Sequence, residues 1–433
     1  MSSVAVESVD LTWRSTFRRL LLPIALLTFI NGIDRLNVSF AGQALSAQVG
    51  LSPTQFGLGI SAFFVGYLLF QYPHAALLRR IGIRPWLLVS MLLWGVAGLL
   101  MSRVRSQQDF IIARLLLGTA EAGFAPGMTW YISQWTPLAT RARAMAVALS
   151  AVPLSLVIGG PLCGALLGMG NPLQLEPWRW MFLVSALPNF VFAVLAALYF
   201  VDRPSQARWL PAGAGLQLES TIAAEGSGSS TATAAPQPWL DRRVLLCAAV
   251  WLLVMTGSYA LVYWLPQIVR QMALANSEWL IGTLSALPQA GLMAGLYLNA
   301  RHSDRSGERR FHTAAGAAVA GVALVMAVML SQSAAILALL VVAGVGLGAT
   351  QGVFWTVPAA LGIGGGRVPV GVIALISMAG TAGGIIGPLL LGHLREMTGS
   401  HQSGILALAA LLLVAAALMA AGSRPTDTET VHD

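Results

Sequence analysis

Apolar residues run along this chain in long, nearly unbroken stretches, unlike the alternation of a half-buried strand or the single stripe of a water-soluble helix. Twelve stretches are about as long as a helix needs to cross hydrocarbon, roughly 20 residues. Six fall at about 20–41, 56–78, 84–102, 110–131, 144–167 and 180–201, and six more at about 244–266, 279–300, 311–330, 334–360, 368–391 and 404–422. Between the two sets lies a polar stretch, Asp202 to Asp241, containing the low-complexity run Glu225 to Pro236. Such a composition buries little surface and predicts a flexible cytoplasmic linker. The expectation is an all-α membrane protein with two six-helix halves, 1–201 and 242–433, joined by the linker 202–241.

Composition supports this reading. Of the 433 residues, 56% are hydrophobic and only 10% charged, with mean hydropathy +0.73, whereas soluble domains carry about 25% charged residues. The net charge is +8 and every basic residue is an arginine. A nucleic-acid surface would need a continuous basic face, but here the arginines cluster in short loops. Alternating the loops across the membrane puts eighteen arginines on one side, among them Arg14, Arg18, Arg19, Arg79, Arg80, Arg301, Arg305, Arg309, Arg367 and Arg424, and five on the other. The positive-inside rule then predicts cytoplasmic N- and C-termini. Cys163 and Cys247 both fall inside apolar stretches and suggest packing, with neither a disulfide nor a metal site. Small-residue runs at Ser155 to Gly164 and Ala379 to Gly387, in the fifth and eleventh stretches, predict close helix contacts and hint at an internal repeat.

The first stretch contains Asp34, Arg35 and Asn37, and the fourth contains Arg114 and Glu121. Charges at such depth cost about 2.5–3.5 kcal/mol each on the insertion scale, so they need partners or a task. Asp34 lies about 22 Å in from Arg19, and Arg114 enters from the opposite face, so Asp34 or Asn37 is expected to meet Arg114. Arg114 and Glu121 are about 20° apart around a helix and about 10 Å apart along it, which points both into one cavity. Arg35 points elsewhere than Asp34 and is the candidate positive charge for a substrate carboxylate, because a guanidinium matches two carboxylate oxygens. Glu121 and Asp34 are the candidate proton-coupling acids. A static ion-pair network is the alternative for all four. Tyr67, near mid-membrane, and Tyr259, Tyr263, Gln351, Trp355 and Ser377 in the second half are further candidate substrate contacts, with simple packing the competing reading. Gln289 is weighed in the same way. His302, His312 and His393 show no metal-ligand spacing and read as solvated.

Two cytoplasmic loops carry candidate gating residues: Arg79 and Arg80 after the second stretch, and Asp304, Arg305 and Arg309 after the eighth. Asp304 is placed to meet a helix terminus or an arginine of the other half.

At these motifs the chain resembles the major facilitator superfamily, and within it the anion:cation symporter family. The resemblance rests on Asp34-Arg35-x-Asn37, on Arg114-Leu-Leu-Leu-Gly118-x-x-Glu121-Ala-Gly123 followed by Pro126-Gly127, and on Trp178-Arg-Trp180-x-Phe182. Asp202-Arg-Pro204, Trp264-Leu-Pro266-Gln267 and the loop from Ser303 to Arg310 add to it. The wording is similar to that of bacterial tartrate and phthalate transporters. The resemblance implies substrate carboxylate binding by a transmembrane arginine, proton coupling through acids in the first and fourth helices, and rocking of two halves in a bacterial inner membrane. This chain departs from the family pattern at Leu78 before Arg79, at Ser185-Ala186 where relatives often have Glu-Gly, and at Met378 and Thr381.

The expected function is a proton-coupled importer of a small organic carboxylate such as tartrate, phthalate or a sugar acid, working as a monomer in lipid without a cofactor. An anion exchanger or exporter using the same site is the alternative. With no phosphate-binding loop motif, an ATP-driven pump is disfavoured, and no nucleophile or metal constellation points to an enzyme.

Overall fold

The structure, a computed structural model, describes residues 15–227, 241–366 and 368–422. Arg14, Arg367 and Arg424 of the topology count, and residues 228–236 of the low-complexity run, lie outside the described residues. Among the described residues, twelve helices are long and apolar enough to cross a membrane. They are α1 (Phe17–Val49), α2 (Pro53–Ile81), α3 (Ile83–Arg103), α4 (Gln107–Ser133), α5 (Leu138–Gly168), α6 (Pro177–Tyr199), α7 (Arg242–Gln271), α8 (Glu278–Ser306), α9 (Arg310–Met329), α10 (Ser333–Phe354), α11 (Val370–Thr398) and α12 (His401–Ala421). Each coincides with one predicted stretch. Several exceed the roughly 20 residues that hydrocarbon demands, as tilted helices with ends in the headgroup region do.

Prolines and glycines explain the interruptions. α4 breaks after Glu121 and resumes at Phe124, because the ring of Pro126 clashes with the carbonyl four residues back, at Ala122. α5 is interrupted at Ser150, where Pro153 acts in the same way on Leu149. The tenth stretch, expected to reach residue 360, ends at Phe354 and is followed by a separate turn, Val357–Ala360. Pro358 cannot donate the hydrogen bond that would carry the helix past Phe354.

By internal contacts the chain separates into two units. Of the described residues, the first holds 15–37, 65–159 and 171–227; the second holds 38–64, 160–170, 241–366 and 368–422. In the first, α3 packs on both α4 and α6, Gly66 brings α2 against the α4 backbone at Leu115, and Gly32 brings α1 against Ser155 of α5. In the second, the same pairings recur six helices later: α9 with α10 and α12, α8 with α10, and α7 with α11. That recurrence is the physical form of an internal repeat.

The small-residue runs make close backbone contacts in the second unit. A Cβ on Gly160 would lie 2.5 Å from the Gly282 carbonyl, and one on Gly282 would lie 2.2 Å from the Gly160 carbonyl. Gly383 and Gly387 of α11 meet the backbone of Thr256 on α7 in the same manner. Also within this unit, Ser61 of α2 donates to the Ile385 carbonyl over 2.6 Å, and the Glu396 carboxylate accepts from the Ser52 hydroxyl and the Thr54 N–H.

In the first unit, Asp202 accepts from the Ile83 N–H at 2.6 Å and so caps α3. The preceding Gly82 has φ +82°, and any Cβ there would strike the Asp202 carboxylate. The first part of the linker is ordered. A helix spans Ala214–Ser227, rich in good helix formers, with Leu218 buried. Its Glu225 receives the Leu138 N–H at the start of α5 through both carboxylate oxygens, at 3.1 and 3.0 Å, a favourable place for negative charge. Within the linker 202–241, expected to be flexible, these residues are helical, and Pro204–Gln206 form a single turn ahead of them.

Candidate functional site

The charges read from the first and fourth stretches all lie in the first unit. Along α1, Asn31 and Arg35 are four residues apart, about 40° around the helix, so they share a face. That face meets α4. Arg35 Nε donates to Glu121 Oε2 at 2.7 Å, and Asn31 Nδ2 donates to the same oxygen at 2.8 Å. The Glu121 side chain is 0% exposed, whereas the Arg35 side chain is 25% exposed. Glu121 Oε1 finds no hydrogen-bond partner among the described residues. Arg114 is also fully buried on α4, and its charge bears on the Glu121 carboxyl. Tyr67 of α2 supports Arg35 from another side, with the guanidinium carbon 4.7 Å from the ring centroid.

Asp34 and Asn37 share a second face, rotated by about 110° from the first. It meets α6. Asn189 Nδ2 donates to Asp34 Oδ2 at 2.7 Å, and Asn37 Nδ2 donates to the Ser185 hydroxyl at 3.1 Å. Asn189 is 0% exposed, and the indole of Trp94 on α3 lies beside the Asp34 carboxyl. The hydrogen-bond partners of Asp34 and Asn37 are thus on α6, where the expectation had set one of the two against Arg114. Rotation about α1 turns both residues toward α6.

Arg35, the candidate charge for a substrate carboxylate, already has its Nε engaged by Glu121. Its side chain is a quarter exposed, while the acid that holds it is enclosed. Asn31 and Asn189 were missed as site residues. Each is a lone amide inside an apolar stretch, a weaker signal than a charge but of the same kind.

In the second unit, Gln351 Nε2 of α10 donates to Ser258 of α7 at 3.2 Å. Tyr259 and Tyr263 both pack on Phe64, with centroids 4.6 and 5.9 Å away. Gln289 is buried, with Oε1 unpartnered among the described residues. Trp355 packs edge-on against Trp251 and remains 41% exposed. Ser377 is exposed and donates to the Ile373 carbonyl of its own helix.

Of the loop residues, Arg79, Arg80 and Arg305 are exposed. Asp304 meets Arg309 of its own loop at 2.6 Å, because Gly307 turns the chain back in a left-handed conformation, φ +69°. His302 and His312 are joined ring to ring at 2.6 Å, and His312 reaches Glu308 at 2.8 Å, so these two histidines are not simply solvated.

Comparison with known proteins agrees with this architecture. A provisionally named tartrate transporter of Agrobacterium vitis is 37% identical over 410 residues, covering 94% of this chain and 90% of the relative. A quinolone resistance transporter of Acinetobacter baumannii is 34% identical, covering 92% of each. Among solved structures, a bacterial homologue of the human lysosomal transporter Spinster superposes with TM-score 0.75 at 17% identity, over 93% of this chain and 96% of that one. The model of the Major Facilitator Superfamily matches residues 24–362, and this chain, a multi-pass membrane transporter and not an enzyme, belongs to that superfamily.

Proposed function

We propose that this transporter is a proton-coupled symporter that imports a small organic carboxylate by alternating access of two halves, 1–201 and 242–433. The observation that carries the reading is the unequal burial of one ion pair: Glu121 is wholly enclosed, while its partner Arg35 is a quarter exposed. An incoming carboxylate reaches Arg35 from the open side and competes with Glu121 for the guanidinium. A buried carboxylate that loses its partner costs about 3–5 kcal/mol. Taking up a proton removes that cost, so substrate arrival and protonation are linked. On release, Arg35 returns to Glu121 and the proton leaves. Asp34 serves as a second acid in the same cycle, Tyr67 keeps the guanidinium oriented, and Arg114 sets the field at Glu121. Asn37, Tyr259, Tyr263, Gln351, Trp355 and Ser377 contribute further substrate contacts, and Arg79, Arg80, Asp304, Arg305 and Arg309 bias opening at the cytoplasmic face. The tartrate name of the relatives supports a carboxylate cargo.

The test is uptake by purified protein in liposomes, with a panel of hydroxylated and aromatic carboxylates and an inward proton gradient. Accumulation that a protonophore abolishes supports symport. Wild-type transport that proceeds only as gradient-independent exchange, or proton-driven accumulation undiminished in Glu121→Gln, overturns it. Exchange alone moves the assignment to an exchanger or exporter, a reading favoured by the relative named for quinolone resistance.

A further inference from the structure

Asp34 has a neutral, enclosed partner. Asn189 sits one helical turn beyond Ser185 on α6, so the two residues face α1 together and make two rungs, Asn37 to Ser185 and Asp34 to Asn189. Asn189 is 0% and Asp34 5% exposed. While Nδ2 of Asn189 donates to Asp34, its Oδ1 has no donor among the described residues. An asparagine amide offers a donor and an acceptor at the same reach, and its terminal torsion is broad and roughly two-fold. The titratable groups bearing on this carboxyl are few. Glu121 of α4 is the acid whose charge reaches it, Arg35 follows it on α1, and the neighbours from α3 and α6, Trp94 and Asn189, do not titrate.

We propose that Asn189 is the positioning residue for Asp34, its side-chain amide turning over as the acid gains and loses a proton. With Asp34 ionised, Asn189 Nδ2–H donates to the carboxylate, as observed. When Asp34 takes a proton from hydronium in the facing aqueous compartment, one O–H bond forms at Asp34 and water is left behind. The new O–H then needs an acceptor, and a half-turn of the amide supplies Oδ1. Return of the proton to water reverses both steps. Each state of Asp34 thus keeps one hydrogen bond without drawing on Arg35. Leucine would serve neither state, aspartate would add a like charge, and serine would retain both a donor and an acceptor. The inference rests on Asp34 acting as a coupling acid.

The experiment uses the full-length protein in lipid nanodiscs, labelled with ¹⁵N-asparagine and titrated from pH 5 to 9. Infrared spectroscopy follows the Asp34 carboxylic acid band, assigned by its loss in Asp34→Asn. NMR follows the Asn189 side-chain NH₂ pair, assigned by its loss in Asn189→Ser. The expected result is that the NH₂ pair moves between two positions with the same midpoint as the Asp34 band and stays fixed in Asp34→Asn. In liposomes, Asn189→Leu lowers proton-driven accumulation about tenfold and flattens its pH profile, and Asn189→Ser restores most of both. An Asp34 band that titrates while the Asn189 signal stays still overturns this inference alone. If Asp34 never titrates in this range, its coupling role falls, and the inference with it. The wild-type spectra decide the matter even if Asn189→Leu fails to fold.

Discussion

Two faces of one helix handle two buried acids by different means. Toward α4, α1 presents Arg35 and Asn31, and Glu121 is held by a full positive charge. Toward α6 it presents Asp34 and Asn37, and Asp34 is held by the neutral amide of Asn189. An acid clasped by a partly open cation changes state when another anion claims that cation. An acid clasped by an amide has no such competitor, so its proton occupancy responds to access and pH. On the proposed mechanism Glu121 would read the substrate and Asp34 the proton supply, a division of labour that two acids on one face could not maintain.

Removing Arg35 should break this comparison most severely. Arg35→Ala takes away the cation proposed to bind substrate and strands Glu121, at about 3–5 kcal/mol. Binding measured by scintillation proximity should fall at least about 100-fold, and the melting temperature should drop. Adding Glu121→Gln should recover much of the stability but none of the binding, the signature of a coupled pair. Glu121→Gln alone should abolish proton-driven accumulation in liposomes while counterflow exchange of labelled substrate persists, since Arg35 is then free to bind but no longer linked to a proton. Asp34→Asn should also lose accumulation, yet substrate affinity should fall by less than about tenfold. Equal losses in Asp34→Asn and Arg35→Ala would erase the distinction between the faces.

Smaller changes sharpen it. Tyr67→Leu removes a cation–π contact worth about 0.5–2 kcal/mol, which should raise KM several-fold, whereas Tyr67→Phe should sit near wild type. Ser185→Ala on the α6 face removes one acceptor and should cost about 0.5–1.5 kcal/mol of stability, visible as a modest fall in melting temperature with coupling retained.

The fold was legible in the sequence because hydrocarbon tolerates so few patterns. The long apolar stretches and the arginine asymmetry require no knowledge of neighbours, and even the breaks in α4 and α5 follow from Pro126 and Pro153. The end of α10 needed closer attention to Pro358. The site was legible in its members and not in its pairings. Asp34, Arg35, Arg114 and Glu121 stand out as charges in an apolar setting, and rise per residue places them at matching depth. Rotation about α1 is set by packing against α4 and α6, which no single helix encodes. The amides suffer most from this: Asn31 and Asn189 carry no charge to advertise them, and only their partners reveal what they do.

The contact between Gly160 and Gly282 places two backbones against each other with no side chain between them. Most helix contacts freeze rotamers when they form, at a cost of up to about 2 kcal/mol of side-chain entropy per long residue. Here there is none to freeze. Wherever the transport cycle parts α5 from α8 at this point, remaking the contact leaves side-chain freedom unchanged, so the seam can close with little entropic resistance from its own residues, turn after turn.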